Sequence, residues 1–202
     1  MQRKRNSGNS SPKGRTCRST FQTITILGID PGLNSTGWGI IKNEVFGHSV
    51  FKQVIQNETQ KDVKCTFVDC GIFKTDAHDD LGVRLTFIYD SVLNLIKSYK
   101  PDKISMERVF VNINPASSEK LIMARTAAFL AIAKSGHMCV EFSPNEIKKT
   151  ITGLGHSSKD LVKSTVQSIL KFNTDENYCP KTADASDALA IALCLAFANS
   201  RK

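Results

Sequence analysis

The feature that most constrains this chain of 202 residues is a short apolar run that ends on an acid. Ile24, Ile26, Leu27 and Ile29 first alternate with polar residues and then become nearly continuous, before Asp30-Pro31-Gly32. A run this short, stopped by turn residues, predicts a buried strand over 23–29 that hands an aspartate to its own end. Residues 38–42 read as a second strand, and the few turn residues between the two suit an antiparallel pair.

The rest of the chain supplies elements to cover such a sheet. Residues 44–65 are irregular and read as an insertion, with a candidate strand at 50–55 and a polar loop at 56–64; residues 67–73 are the next strand. Leu81, Leu85, Ile88, Val92, Leu95 and Ile96 fall on one helical face, and Lys100-Pro101 ends that helix. A strand follows at 103–106. Asn114 as N-cap and Pro115 at the first helical position open an Ala-rich helix through 134, stopped by Gly136. After a strand at 138–142, Ser143-Pro144-Asn145-Glu146 forms a capping box, and residues 157–160 offer a second. Helices over 158–171 and 184–199 complete the order. A hairpin followed by strands alternating with helices predicts an α/β sheet covered on both faces, within one domain over 23–199.

Net charge misleads until it is located. Arg3, Lys4, Arg5, Lys13, Arg15 and Arg18 carry six of the eight net positive charges, with no acid among the first twenty residues. Residues 1–22 therefore read as a basic, disordered tail, and the overall charge is weak evidence for a nucleic-acid partner. The tail lacks the apolar core of a secretory signal and the apolar stripe of a transit peptide, and no stretch nears the ~18 apolar residues of a membrane span. The six cysteines form no CxxC and no compact Cys/His run, so free thiols in a reducing compartment are expected.

Four acids stand where backbone elements end. Asp30 closes the first strand, Glu107 closes the fourth, and Asp184 and Asp187, three apart, share one face at the start of the last helix. If strands one and four are neighbours, the four carboxylates converge. Such a cluster repels itself by several kcal/mol at an effective dielectric near ~20, so it implies bound cations. Magnesium prefers hard oxygen ligands at about 2.0–2.1 Å, and a pair of such ions serves phosphoryl transfer. Each acid has a plainer explanation: Asp30 as a turn residue, Asp184 and Asp187 as partners of the helix dipole, Glu107 as a surface ion pair. The joint placement favours chemistry.

The stretches ILGIDPGLNSTGWGII at 26–41, ERVFVNINPASSEKL at 107–121 and TADASDALAIALC at 182–194 closely resemble the RuvC-type Holliday junction resolvases of bacteria. The resemblance implies a ribonuclease-H-like fold with a mixed five-stranded sheet and helices on both faces. It further implies a homodimer that nicks four-way DNA junctions with Mg2+, two ions per site and Mn2+ as a substitute. A cytoplasmic, nucleoid-associated setting and a branch-migration helicase as partner follow from it too. Asp30, Glu107, Asp184 and Asp187 match the family's four catalytic acids. Phe110 matches an aromatic placed against unstacked bases, and Lys148 and Lys159 match basic positions directed at the DNA backbone. For these three, a core Phe and a solvated helix face are the plainer alternatives.

Two other function classes share parts of this pattern. Sugar-kinase and chaperone ATPases use an Asp-x-Gly strand end, but they need a second lobe and a second phosphate loop. A non-catalytic junction-binding module, or a related nuclease on another nucleic acid, would have the same fold; the former has no reason to keep four repelling acids. The Ala-rich helix over 116–134 is the expected dimer interface.

Overall fold

The computed structural model describes residues 21–46, 63–109, 115–171 and 182–200. Strand β1 (Phe21–Asp30) turns back through Pro31–Asn34 into β2 (Ser35–Phe46), pairing antiparallel with Asp30 opposite Gly37 and Ile29 opposite Trp38. β2 pairs antiparallel with β3 (Lys64–Lys74), with an irregularity at Ile40/Ile41 that leaves Val68 without a partner in the register. β1 pairs parallel with β4 (Lys103–Glu107), Ile29 beside Met106, and β4 pairs parallel with β5 (Cys139–Phe142). The sheet order is β3-β2-β1-β4-β5, mixed as expected.

The helices divide between the faces. On one lie α1 (Leu81–Tyr99) and α2 (Pro115–Lys134), packed on Leu27, Ile29, Ile40, Ile104 and Met106. On the other lie α3 (Pro144–Thr152), α4 (Lys159–Leu170) and α5 (Ala183–Ser200), packed on Ile24, Ile26 and Ile41. Cover on both sides is the reason the β1 sequence is apolar at consecutive positions. Strand periodicity then sorts the remaining residues: Gly28 and Asp30 share the α5 face with Ile26, Ser35, Gly37 and Gly39 share it with Ile41, and Glu107 shares it with Ser105, whose hydroxyl donates to the Ile191 carbonyl of α5 at 3.1 Å.

Most helix ends follow local rules. Ser143 and Glu146 form the expected reciprocal box, and Gly153 ends α3 in the left-handed conformation at φ 79°. The second box is displaced. Ser158 rather than Ser157 caps α4, accepting from the Leu161 N–H at 3.2 Å, while Ser157 is buried and donates to the Leu154 carbonyl. With Leu161 three residues past the cap, no acid is placed to reciprocate. Helix α1 also presents its face differently from the apolar pattern. Leu81 in its first turn is exposed, whereas Arg84 is buried and donates to Thr75 Oγ1, to the Leu33 carbonyl and to Asn34 Oδ1. Acceptors from the β1–β2 turn and from the segment after β3 make that burial tolerable. Strand β2 is longer at both ends than its apolar centre predicts. The tail ends sooner than the sequence predicts, because Phe21 and Gln22 extend β1 by pairing with Phe46 and Val45. Residues 1–20, the candidate strand at 50–55, Asn114 and the polar loop at 173–180 lie outside the described residues.

Candidate active site

The parallel register of β1 and β4 ends with Ile29 beside Met106, so the next residue of each strand, Asp30 and Glu107, leaves the same edge of the sheet. Helix α5 crosses that edge with its first turn. Thr182 Oγ1 accepts from the Ala185 N–H at 3.4 Å in the capping role, and Asp184 and Asp187 follow one turn apart. A cavity of about 360 Å³ opens here. Its walls include Asp30, Glu107 and Asp187, the two lysines Lys148 and Lys159, and Val109 just beyond β4.

Three of the four acids thus share one cavity, and the fourth is turned aside. Asp184 Oδ2 accepts a 2.6 Å hydrogen bond from the Ser35 hydroxyl at the start of β2. Lys159, on an exposed side chain, stands 3.8 Å from Asp187 Oδ2. Phe110 lies outside the described residues, immediately after Val109.

The electrostatics record crowding. Burial lifts the Asp30 carboxyl well above the usual carboxylate range, and the charges of Glu107, Asp187 and Asp184 push it the same way against a weaker pull from Lys159. Glu107 is raised by burial and by Asp187, offset by a hydrogen bond from Asp30 and by Lys159 and Lys148. Asp187 is raised by burial, with Lys159 and Lys148 opposing and Asp184 adding. In this state a proton on Asp30 donated to Glu107 relieves the repulsion, the expected behaviour of two carboxyls at one site.

A divalent cation fits this donor set. The walls offer only hard carboxylate oxygens, and the raised carboxyls are negative charges lacking sufficient positive compensation. Among the described residues no three His, Cys, Asp or Glu side chains already stand in an arrangement that holds an ion. The acids would have to draw together around one, exchanging the shared proton for the cation.

Sequence reasoning located the acids and the lysines but missed Ser35. Its signal was present, as a hydroxyl on the β2 face that continues through Gly37 and Gly39. It could not be read without knowing that α5 covers this face.

A mixed five-stranded sheet in this order, helical on both sides, with acids at the ends of its two central parallel strands, defines the ribonuclease-H-like class. Residues 26–195 match the family described as Crossover junction endodeoxyribonuclease RuvC. The protein of that name from Ruegeria pomeroyi is 38% identical over 177 residues, 88% of this chain and 93% of its own length. The structure of Thermus thermophilus RuvC superposes with a TM-score of 0.72 at 25% identity, over 88% of this chain and 96% of the other. A second structure, of T. thermophilus RuvC in complex with Holliday junction substrate, superposes equally well at 0.72, with 24% identity over the same shares of the two chains. This chain belongs to the RuvC family of crossover junction endodeoxyribonucleases.

Proposed function

We propose that the chain resolves Holliday junctions, as a metal-dependent endonuclease that recognises the four-way junction by shape and cuts two strands of like polarity. The observation that carries this reading is the convergence of Asp30, Glu107 and Asp187, from two strand ends and a helix, in one cavity with Lys148 and Lys159. The T. thermophilus relative, of the same fold, is known bound to such a substrate.

Asp30, Glu107, Asp187 and Asp184 are the residues that would hold the cations, with Asp30 flanked by the charges of the other three. Mg2+ is the natural ion for an all-carboxylate set, and two of them per site suit in-line displacement at phosphorus. Bound there, the ions would supply a water nucleophile at neutral pH and neutralise charge on the leaving oxygen. The chain's own residues do the rest. Lys148 and Lys159, on the cavity wall, attract and orient the phosphate backbone. Phe110, which matches the family's aromatic by sequence, would stack on an unpaired base.

Two equivalent cuts call for two equivalent sites, hence a homodimer. Its support is the apolar outer side of α2, where Ile122, Phe129 and Leu130 are all exposed. Sedimentation at micromolar concentration should show a dimer; a monomer alone refutes this part. The same reading makes 23–199 one nuclease unit that works on cytoplasmic, nucleoid DNA, beside a branch-migration helicase. Among the described residues no helix is long and apolar enough to cross a membrane.

The test is cleavage of a synthetic mobile four-way junction with Mg2+. Wild type should give paired, ligatable nicks, and Asp30→Asn and Asp187→Asn should abolish them while gel shifts still show junction binding. Binding by wild type with no cleavage in either Mg2+ or Mn2+ refutes the reading.

A further inference from the structure

We propose that Ser35 is a positioning residue for Asp184, and that the start of β2 sets how this carboxylate meets a divalent cation; the proposal rests on the nuclease reading above. Two separate observations tie β2 to Asp184. The Ser35 hydroxyl donates to Asp184 Oδ2 at 2.6 Å, between residues 149 positions apart. Two residues along the same strand face, Gly37 has no side chain where a Cβ would stand 2.1 Å from the Asp184 carbonyl oxygen and 3.1 Å from its Cβ. The absent side chain sets the height of the α5 first turn over the sheet. The hydroxyl sets the direction of the carboxylate.

Asp184 is available for this bond because Thr182 takes the capping role at the helix start. With Oδ2 held, the direction of the Asp184 carboxylate is fixed beside the cavity that Asp30, Glu107 and Asp187 line. A neutral hydroxyl differs here from the lysine beside Asp187. Lys159 competes with a cation for the same carboxylate. Ser35 brings no positive charge, so its bond survives cation binding and spares Asp184 the loss of rotational freedom that binding would otherwise cost.

The experiment measures Mn2+ binding to the full-length protein by calorimetry, without DNA, for wild type, Ser35→Ala and Ser35→Thr. Loss of a hydrogen-bonding partner to a metal ligand typically weakens binding about 10- to 100-fold, and for Ser35→Ala a loss of about tenfold is expected. Ser35→Thr keeps the hydroxyl and should restore affinity. Junction cleavage by Ser35→Ala should need correspondingly more Mg2+ and regain its rate at saturation, and its gel shift in EDTA should equal that of wild type. Equal or tighter Mn2+ binding by Ser35→Ala overturns the proposal, as does failure of Ser35→Thr to recover. Absence of Mn2+ binding by wild type overturns it too. Wild type that binds Mn2+ but leaves junctions uncut refutes the nuclease reading alone, and the three affinities still judge Ser35.

Discussion

The two faces of the sheet differ in how closely a helix backbone approaches the strands. Against α5 the strands present glycine: a Cβ on Gly28 would stand 2.1 Å from the Ala188 carbonyl oxygen, and one on Gly39 would stand 2.7 Å from Leu189 Cδ2. Helix α5 answers with the small Ala188 and Ala192 opposite Gly28, so backbone lies nearly on backbone. Against the other face α1 brings large side chains, Ile88, Val92 and Ile96, onto Ile104 and Met106, while α2 adds the small Ala124, Ala127, Ala128 and Ala131 beside Ile132. The outer side of that pair even leaves an apolar groove of about 370 Å³ between Leu85, Tyr89, Ile122 and Leu130. Long side chains can shift rotamer when a neighbour changes, whereas a backbone contact has nothing to yield. The rigid face is the one that carries all four acids.

This contrast can be broken most sharply at Gly37. A methyl there meets the Asp184 carbonyl and must lift the first turn of α5. Displacement of catalytic groups by about 1 Å can cost on the order of 10²-fold, so Gly37→Ala should lose about that much junction cleavage while circular dichroism stays native. Cleavage within a few-fold of wild type would show that the close face adapts after all. On the other face, Ile88→Ala should cost about 2–5 kcal/mol in urea unfolding and leave the turnover rate unchanged well below the transition. A matching loss of turnover would show that the two faces are coupled.

The smallest effect concerns pH. Asp30, Glu107 and Asp187 have folded values above their unfolded ones, so their contribution to stability is fully present below the unfolded range near 4 and is lost as pH rises through the raised values. Without divalent cations, the melting temperature of wild type should therefore carry a component that falls with rising pH. Asp30→Asn, which removes the most strongly raised group, should flatten that component and melt higher than wild type at pH 7. Superimposable pH profiles would mean that repulsion among these acids is not felt in the fold. Saturating Mg2+ should raise the melting point of wild type more than that of the variant.

Much of this was legible along the chain because the governing rules are local. The capping box at Ser143, the stop at Gly153 and the apolar run into Asp30 each involve residues within a few positions of one another. Asp184 and Asp187 could be paired before any fold was known, since helical spacing alone puts them on one side. The errors arose where locality ended. The sequence points to a cap for α4 one residue early, because Ser157 and Ser158 are alike in sequence and differ only in which one is buried. The burial of Arg84 leaves no local signal, because the acceptors that make it tolerable come from Leu33, Asn34 and Thr75.

Propensity, capping and periodicity act over a few residues, so the chain alone reveals the order of strands and helices, most helix ends and which carboxylates leave which element. The first three strands run past their apolar centres because pairing with neighbours extends them. Only the tertiary structure decided that β1 and β4 lie side by side and that three acids share one cavity. It alone decided that the fourth is drawn aside by Ser35, 149 positions away. Those outcomes depend on how closely α5 approaches the sheet, a distance set by side chains that are missing on one partner and small on the other, and no local pattern encodes it.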